Sequence, residues 1–235
     1  MAAVEEGRGI FSNIRKVIHY LLSCNVSEIL VMLLAALLGL PLPLLPVQIL
    51  WINLVTDGLP ALALAVDPTG RDLMKRPPRP PGAGILERDR LFLIFGQGLF
   101  IAVITGLAFV YCLYSMEQDL ERARSVTFMV LVLAQLVHAF NVRSDWQSLW
   151  EIGFWTNRAL VGATVLSGGL TALLFFWSPL REIFALGLFY REHWLTAFVM
   201  GVLPLPAVEL WKAARRAGLA EESEEPSTGK RVDRS

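Results

Sequence analysis

Apolar residues fall along this chain in six long runs, approximately 18–39, 44–66, 91–114, 126–142, 159–178 and 193–211. A helix needs about 20 such residues to cross ~30 Å of hydrocarbon, so each run predicts one spanning helix, the fourth and sixth being the shorter ones. Only LGLPLPLLP divides the first two runs; its three prolines cannot continue a helix, and its lack of charge suits a tight hairpin at the membrane surface. Residues 1–17 carry early glutamates and no apolar core of their own, which reads as a cytoplasmic stalk helix rather than a cleaved signal peptide. The stretch DPTGRDLMKRPPRPPGAGILERDR, between the second and third runs, is too polar and proline-rich to insert and predicts a semi-rigid cytoplasmic loop. Residues 213–235 predict a disordered cytoplasmic tail. The expected fold is all-α: a polytopic membrane helical bundle, 18–212, of six transmembrane helices.

Composition agrees, with 54% hydrophobic and only 18% charged residues. The lipid bilayer is therefore the first expected partner. A formal net charge of zero leaves no basic excess for phosphates, so no nucleic acid is expected. Of the 21 Lys and Arg residues, only Arg122, Arg124, Arg181 and Arg191 fall outside the segments that a cytoplasmic N-terminus would place inside. The positive-inside rule then puts both ends in the cytoplasm. Trp146, Trp150, Trp155, Trp177 and Trp194 cluster toward span ends, as an interfacial belt does. Cys24 and Cys112 build no disulfide framework and read as small hydrophobes within helices; His19 and His138 read as packing residues. Neither GxxxxGK[ST] nor GxGxxG occurs.

The chemistry then lies inside the membrane. From Ile29 to Thr56 no residue is charged, yet the run leads straight into Asp57, followed by Gly58 and Pro60. A charge near the bilayer centre costs at least ~2.5–3.5 kcal/mol on insertion scales, which marks Glu28 and Asp57 as functional candidates. Asn25 precedes Glu28 by three residues, and Asn53 and Thr56 precede Asp57 by four and one. Carboxylates, amide carbonyls and a hydroxyl are hard oxygen donors of the kind Ca²⁺ takes, whereas copper or zinc sites would show Cys, His or Met. Gly58 and Pro60 favour a broken helix whose freed carbonyls face a cavity. A second reading stays open, in which these groups pair across helices and stabilise the bundle.

AAVEEGRGIFSNIRKVIHYLLSCNVSEI, followed by GLPLPLLPVQILWINLVTDGLPALALAVDP and DLMKRPPRPP, resembles the carboxy-terminal membrane half of P-type cation-transporting ATPases, specifically calcium pumps of the sarcoplasmic-reticulum type and their bacterial relatives. The resemblance runs from the stalk before the fifth transmembrane helix through the tenth. It implies that Asn25 and Glu28 on the fifth helix, and Asn53, Thr56 and Asp57 on an unwound sixth, are cation ligands, Asp57 being shared between adjacent ions. Where the family often has an acidic ligand in its eighth helix, this chain has Gln135, which reads either as a ligand carbonyl or as an interhelical hydrogen-bonding residue. Glu28 and Asp57 alone supply two negative charges, enough to balance one Ca²⁺. Mn²⁺ is hard enough to compete.

The family's DKTGT, TGDGxND, TGES and PEGL-type motifs are absent from these 235 residues. The resemblance therefore implies that ATP and Mg²⁺ act only through a missing catalytic part, on a partner chain that also carries the first four transmembrane helices. The expected function is the cation-binding and translocation part of an ATP-driven pump in a bacterial plasma membrane. A non-catalytic regulatory membrane protein and a truncated remnant remain as alternatives.

Overall fold

The computed structural model describes residues 2–68, 85–115 and 119–224. Every regular element among them is helical. The first, α1 (Ala2–Leu37), joins the expected stalk and first span without a break. It ends at Gly39, whose φ of +67° suits glycine, with Gly39 N–H donating to Ala36 O (3.1 Å) and Leu40 N–H to Ala35 O (2.9 Å). This is a Schellman-type stop, and it turns the chain within Leu38–Leu45. The second span is α2 (Pro46–Trp51), a π-helical turn (Ile52–Thr56) and α3 (Gly58–Ala65). Then come α4 (Arg88–Ser115), α5 (Leu120–Asn141), a short α6 (Leu149–Ile152), a 3₁₀ turn (Phe154–Thr156), α7 (Arg158–Phe176), α8 (Ser178–Ile183), α9 (Arg191–Val202) and α10 (Pro204–Glu224).

Among the described residues, six stretches are long and apolar enough to cross a membrane: Ala3–Leu37, Pro46–Ala65, Arg88–Tyr114, Leu120–Asn141, Arg158–Phe176 and Arg191–Ala217. The fourth starts earlier than its apolar run because Asp119 caps it, its carboxylate accepting from the N–H groups of Glu121 (3.0 Å) and Arg122 (3.4 Å). The polar LERAR turn is thereby helical. The last stretch is two helices meeting at Leu203, where Pro204 offers no N–H to continue α9. α10 then runs to Glu224, into the stretch expected to be irregular; Ala, Leu, Arg and Glu, all good helix formers, dominate AARRAGLAEESE. The RPPR block and residues 225–235 lie outside the described residues.

The axis of the bundle is α5. Of its most apolar window, 83% is buried against protein, compared with 22–44% for the other five spans. Around it pack α4, α9, α7, α3 and α10, and α1 lies along α4. Small residues allow the closest approaches. A Cβ at Gly98 of α4 would stand 2.9 Å from Ser23 O and 2.8 Å from Val26 Cγ1 on α1, and one at Gly201 of α9 would stand 2.5 Å from Leu133 Cβ. Within a bilayer such backbone proximity is a main source of helix association.

One buried ionic cluster fixes the second span at its far end. Asp67, 4% exposed, accepts from Lys16 Nζ (2.6 Å), Arg143 Nε (3.1 Å) and Asn157 Nδ2 (2.7 Å). Asn13 Nδ2 donates to Asp67 O (2.8 Å), and Arg143 continues to Gly153 O (3.0 Å) and Thr156 Oγ1 (2.7 Å). The end of α3 is thus tied to α1 and to the segment between α5 and α7.

Candidate functional site

The break in the second span follows from its residues. Pro60 has no N–H, so Thr56 O has no donor four residues on. The preceding turn opens to π geometry, with Asp57 N–H reaching Ile52 O at 2.9 Å, five residues back. Two side chains take up the freed carbonyls. Tyr20 OH donates toward Thr56 O (3.2 Å) and Asp57 Oδ1 (3.4 Å), and Ser167 Oγ donates to Val55 O (2.8 Å).

Facing this turn, α1 presents Glu28, and α5 presents Gln135. Gln135 Nε2 donates to Glu28 Oε1 (2.9 Å) and Asn53 Nδ2 to Glu28 Oε2 (3.1 Å), so three helical segments meet on one carboxylate. Glu28, Thr56, Asp57 and Gln135 are all buried, at 5% exposure or less. Asp57 Oδ2, Thr56 Oγ1 and Gln135 Oε1 are buried acceptor atoms without a hydrogen-bond donor among the described residues. Buried oxygens of this kind are costly unless something positive faces them. Among the described residues no three His, Cys, Asp or Glu side chains converge on a metal-sized space, so the donor set is two carboxylates plus neutral oxygens. That set suits a hard divalent cation as cargo.

Of the six candidate ligands the structure joins Glu28, Asn53 and Gln135 by hydrogen bonds and buries Thr56 and Asp57 at the end of the adjoining π turn. Asn25 stands apart, exposed, with its amide donating to Leu21 O of its own helix (2.7 Å). Three residues turn a helix by about 300°, which leaves Asn25 about 60° off the direction of Glu28. Asn53 is also exposed, so the cluster opens on the side of Asn25 and Asn53.

The sequence pattern alone gives Tyr20 no role and leaves Cys24 as a small hydrophobe within its helix. Both are fully buried on the Glu28 face of α1, and the i, i+4, i+8 spacing of Tyr20, Cys24 and Glu28 was the available signal. His19 and His138 do more than fill space. Ser23 Oγ lies 2.7 Å from His138 Nε2 and His19 Nε2 lies 2.7 Å from Gln97 Oε1, while Arg90 pairs with Asp145 beside His19. A polar path of α1, α4 and α5 side chains thus runs from Tyr20 toward the Asp145 end of the bundle.

The family model for the C-terminus of cation-transporting ATPases matches residues 41–214. This chain belongs to that family. Over 203 residues, 86% of the chain, it is 44% identical to a calcium-transporting ATPase of Bacillus subtilis (strain 168). Over 229 residues, 91% of the chain, it is 38% identical to calcium-transporting ATPase 1 of Bacillus cereus (strain ATCC 10987 / NRS 248). Those matches cover 23% and 26% of the two relatives, so the chain spans about a quarter of their length. With six stretches among the described residues able to span a bilayer, it is a membrane part of this family.

Proposed function

We propose that this chain binds and translocates Ca²⁺ as the membrane part of an ATP-driven pump. The observation that carries the reading is the trio of buried, donor-free oxygens, Asp57 Oδ2, Thr56 Oγ1 and Gln135 Oε1, beside the Glu28 carboxylate. Asp57 and Glu28 offset the charge of one divalent cation, and the π turn lets main-chain carbonyls share in holding it. In this reading the amides of Asn53 and Gln135, which donate to Glu28, rotate to offer their oxygens when the cation enters. Mn²⁺ competes for the same oxygens. ATP and Mg²⁺ act on catalytic domains in another part of the pump, which also covers the open side at Asn25 and Asn53. Both chain ends face the cytoplasm, and the membrane is a bacterial plasma membrane.

The test is ATP-dependent uptake of radioactive Ca²⁺ into inverted vesicles holding this chain together with the catalytic domains of a pump of this family. Uptake that needs this chain and vanishes in Asp57→Asn supports the reading. Folded, inserted protein that gives no uptake would leave a regulatory protein or a remnant.

A further inference from the structure

α7 carries no candidate cation ligand, and just 33% of its most apolar window is buried. Its hydroxyl residues Ser167 and Thr171, one turn apart, are nevertheless fully buried, and both face the broken second span. Thr171 Oγ1 accepts from Trp51 Nε1 (3.0 Å) just before the π turn, and Ser167 Oγ donates to Val55 O (2.8 Å) inside it. At the start of α7, Asn157 Nδ2 donates to Ala63 O (3.1 Å), beyond the break. α7 thus runs antiparallel to the second span and grips it before, at and after the break, as a splint does.

Pro60 gives the middle grip its weight. By α counting Pro60 leaves Thr56 O short of a donor, and by the five-residue counting of a π turn it leaves Val55 O short instead. Tyr20 of α1 serves the first carbonyl, and Ser167 of α7 serves the second. The Ser167 bond therefore favours the open turn over a closed one. Closing it would swing Thr56 and Asp57 round the span by up to about 100°, the angle of one residue. We propose that Ser167 is a positioning residue: by holding Val55 O it keeps the π turn open and so aims Thr56 Oγ1 and Asp57 Oδ2, two donor-free oxygens of the candidate site. The proposal rests on the reading that these oxygens face a cation. Ser167 acts on them only through the main chain.

Amide hydrogen exchange and Ca²⁺ equilibrium dialysis, both on the purified full chain in detergent, test it together. In Ser167→Ala the amides of 52–57 should exchange about tenfold faster, because the Val55 carbonyl loses its donor. Ca²⁺ affinity should fall about tenfold with the number of sites per chain unchanged, as happens when an outer partner of a ligand is removed. Ser167→Thr returns the hydroxyl and should restore both. Asn157→Ala, which cuts the far grip and the cap of α7, should lower the melting midpoint without moving either readout. The proposal is overturned if exchange at 52–57 stays at the wild-type rate in Ser167→Ala, if that variant keeps the affinity of a Ca²⁺-binding wild type, or if Asn157→Ala weakens Ca²⁺ binding equally. Faster exchange at 52–57 in a protein whose wild type binds no Ca²⁺ sinks the Ca²⁺ reading instead, and leaves Ser167 holding the turn.

Discussion

The Tyr20 hydroxyl stands 3.2 Å from the main-chain carbonyl of Thr56, the one carbonyl of the second span that Pro60 deprives of its helical donor. A residue on one helix therefore completes the backbone of another. Removing only that hydroxyl, in Tyr20→Phe, leaves a buried carbonyl unpaired and should cost about 1–3 kcal/mol. Thermal unfolding in detergent measures it, and an unchanged midpoint would mean that Thr56 O has another donor.

Asp67 holds three side-chain donors from three parts of the chain. In Asp67→Ala, Arg143 is left buried without its carboxylate, and breaking such a pair costs about 3–5 kcal/mol. Lys16→Ala should cost clearly less, since the Lys16 side chain keeps 15% exposure and its loss leaves Arg143 paired. Replacing Asp67 and Arg143 together by leucine and methionine should recover much of the loss. Denaturant titration of the three variants orders them.

Glycines two positions apart on α4 should respond oppositely to alanine. A Cβ at Gly98 meets a main-chain oxygen that cannot swing away, whereas one at Gly96 meets nothing within 4 Å. Gly98→Ala is expected to destabilise by about 1–3 kcal/mol through forced separation of α4 from α1. Gly96→Ala is expected to be neutral or stabilising by up to about 1 kcal/mol. Equal effects in unfolding experiments would contradict the tight α1–α4 contact.

The α6 turn should loosen in acid. The Ser148 N–H donates to Glu151 Oε2 at 2.9 Å and Arg216 pairs with Oε1 at 2.7 Å, and these contacts hold the Glu151 carboxyl below its ordinary value of 4.5. A lowered carboxyl stabilises the turn in full above the unfolded value, and the gain is lost as pH falls through the lower, folded one. Trp150 fluorescence should therefore change in a step below pH 4.5, and the step should be absent in Glu151→Gln.

Much of this was legible in residue pattern. The carboxylates Glu28 and Asp57 stood out because nothing near them in sequence is charged, and Pro60 and Gly58 announced the broken helix. What the pattern left open was rotation about α1. Asn25 and Cys24 are neighbours in sequence, yet one faces outward and the other faces the site; packing of α1 on α4 at Gly98 sets which. Asp67 opens a polar loop in sequence, and its partners Lys16, Arg143 and Asn157 are 51 to 90 residues away. The Leu120 start of α5 was hidden by LERAR, a polar turn that becomes helical once Asp119 caps it.

The burial of α5 bears on how the protein is made. Along it stand Arg122, Arg124, Thr127, Gln135, His138 and Asn141, groups that hydrocarbon rejects and neighbouring helices accept. Alone in a bilayer those groups would have no partners to accept them. Its close partner α9, which presses Gly201 against Leu133, emerges from the ribosome some 60 residues after it. The central helix must therefore be sheltered, by α4 or by the insertion machinery, until α9 arrives to lock it in place.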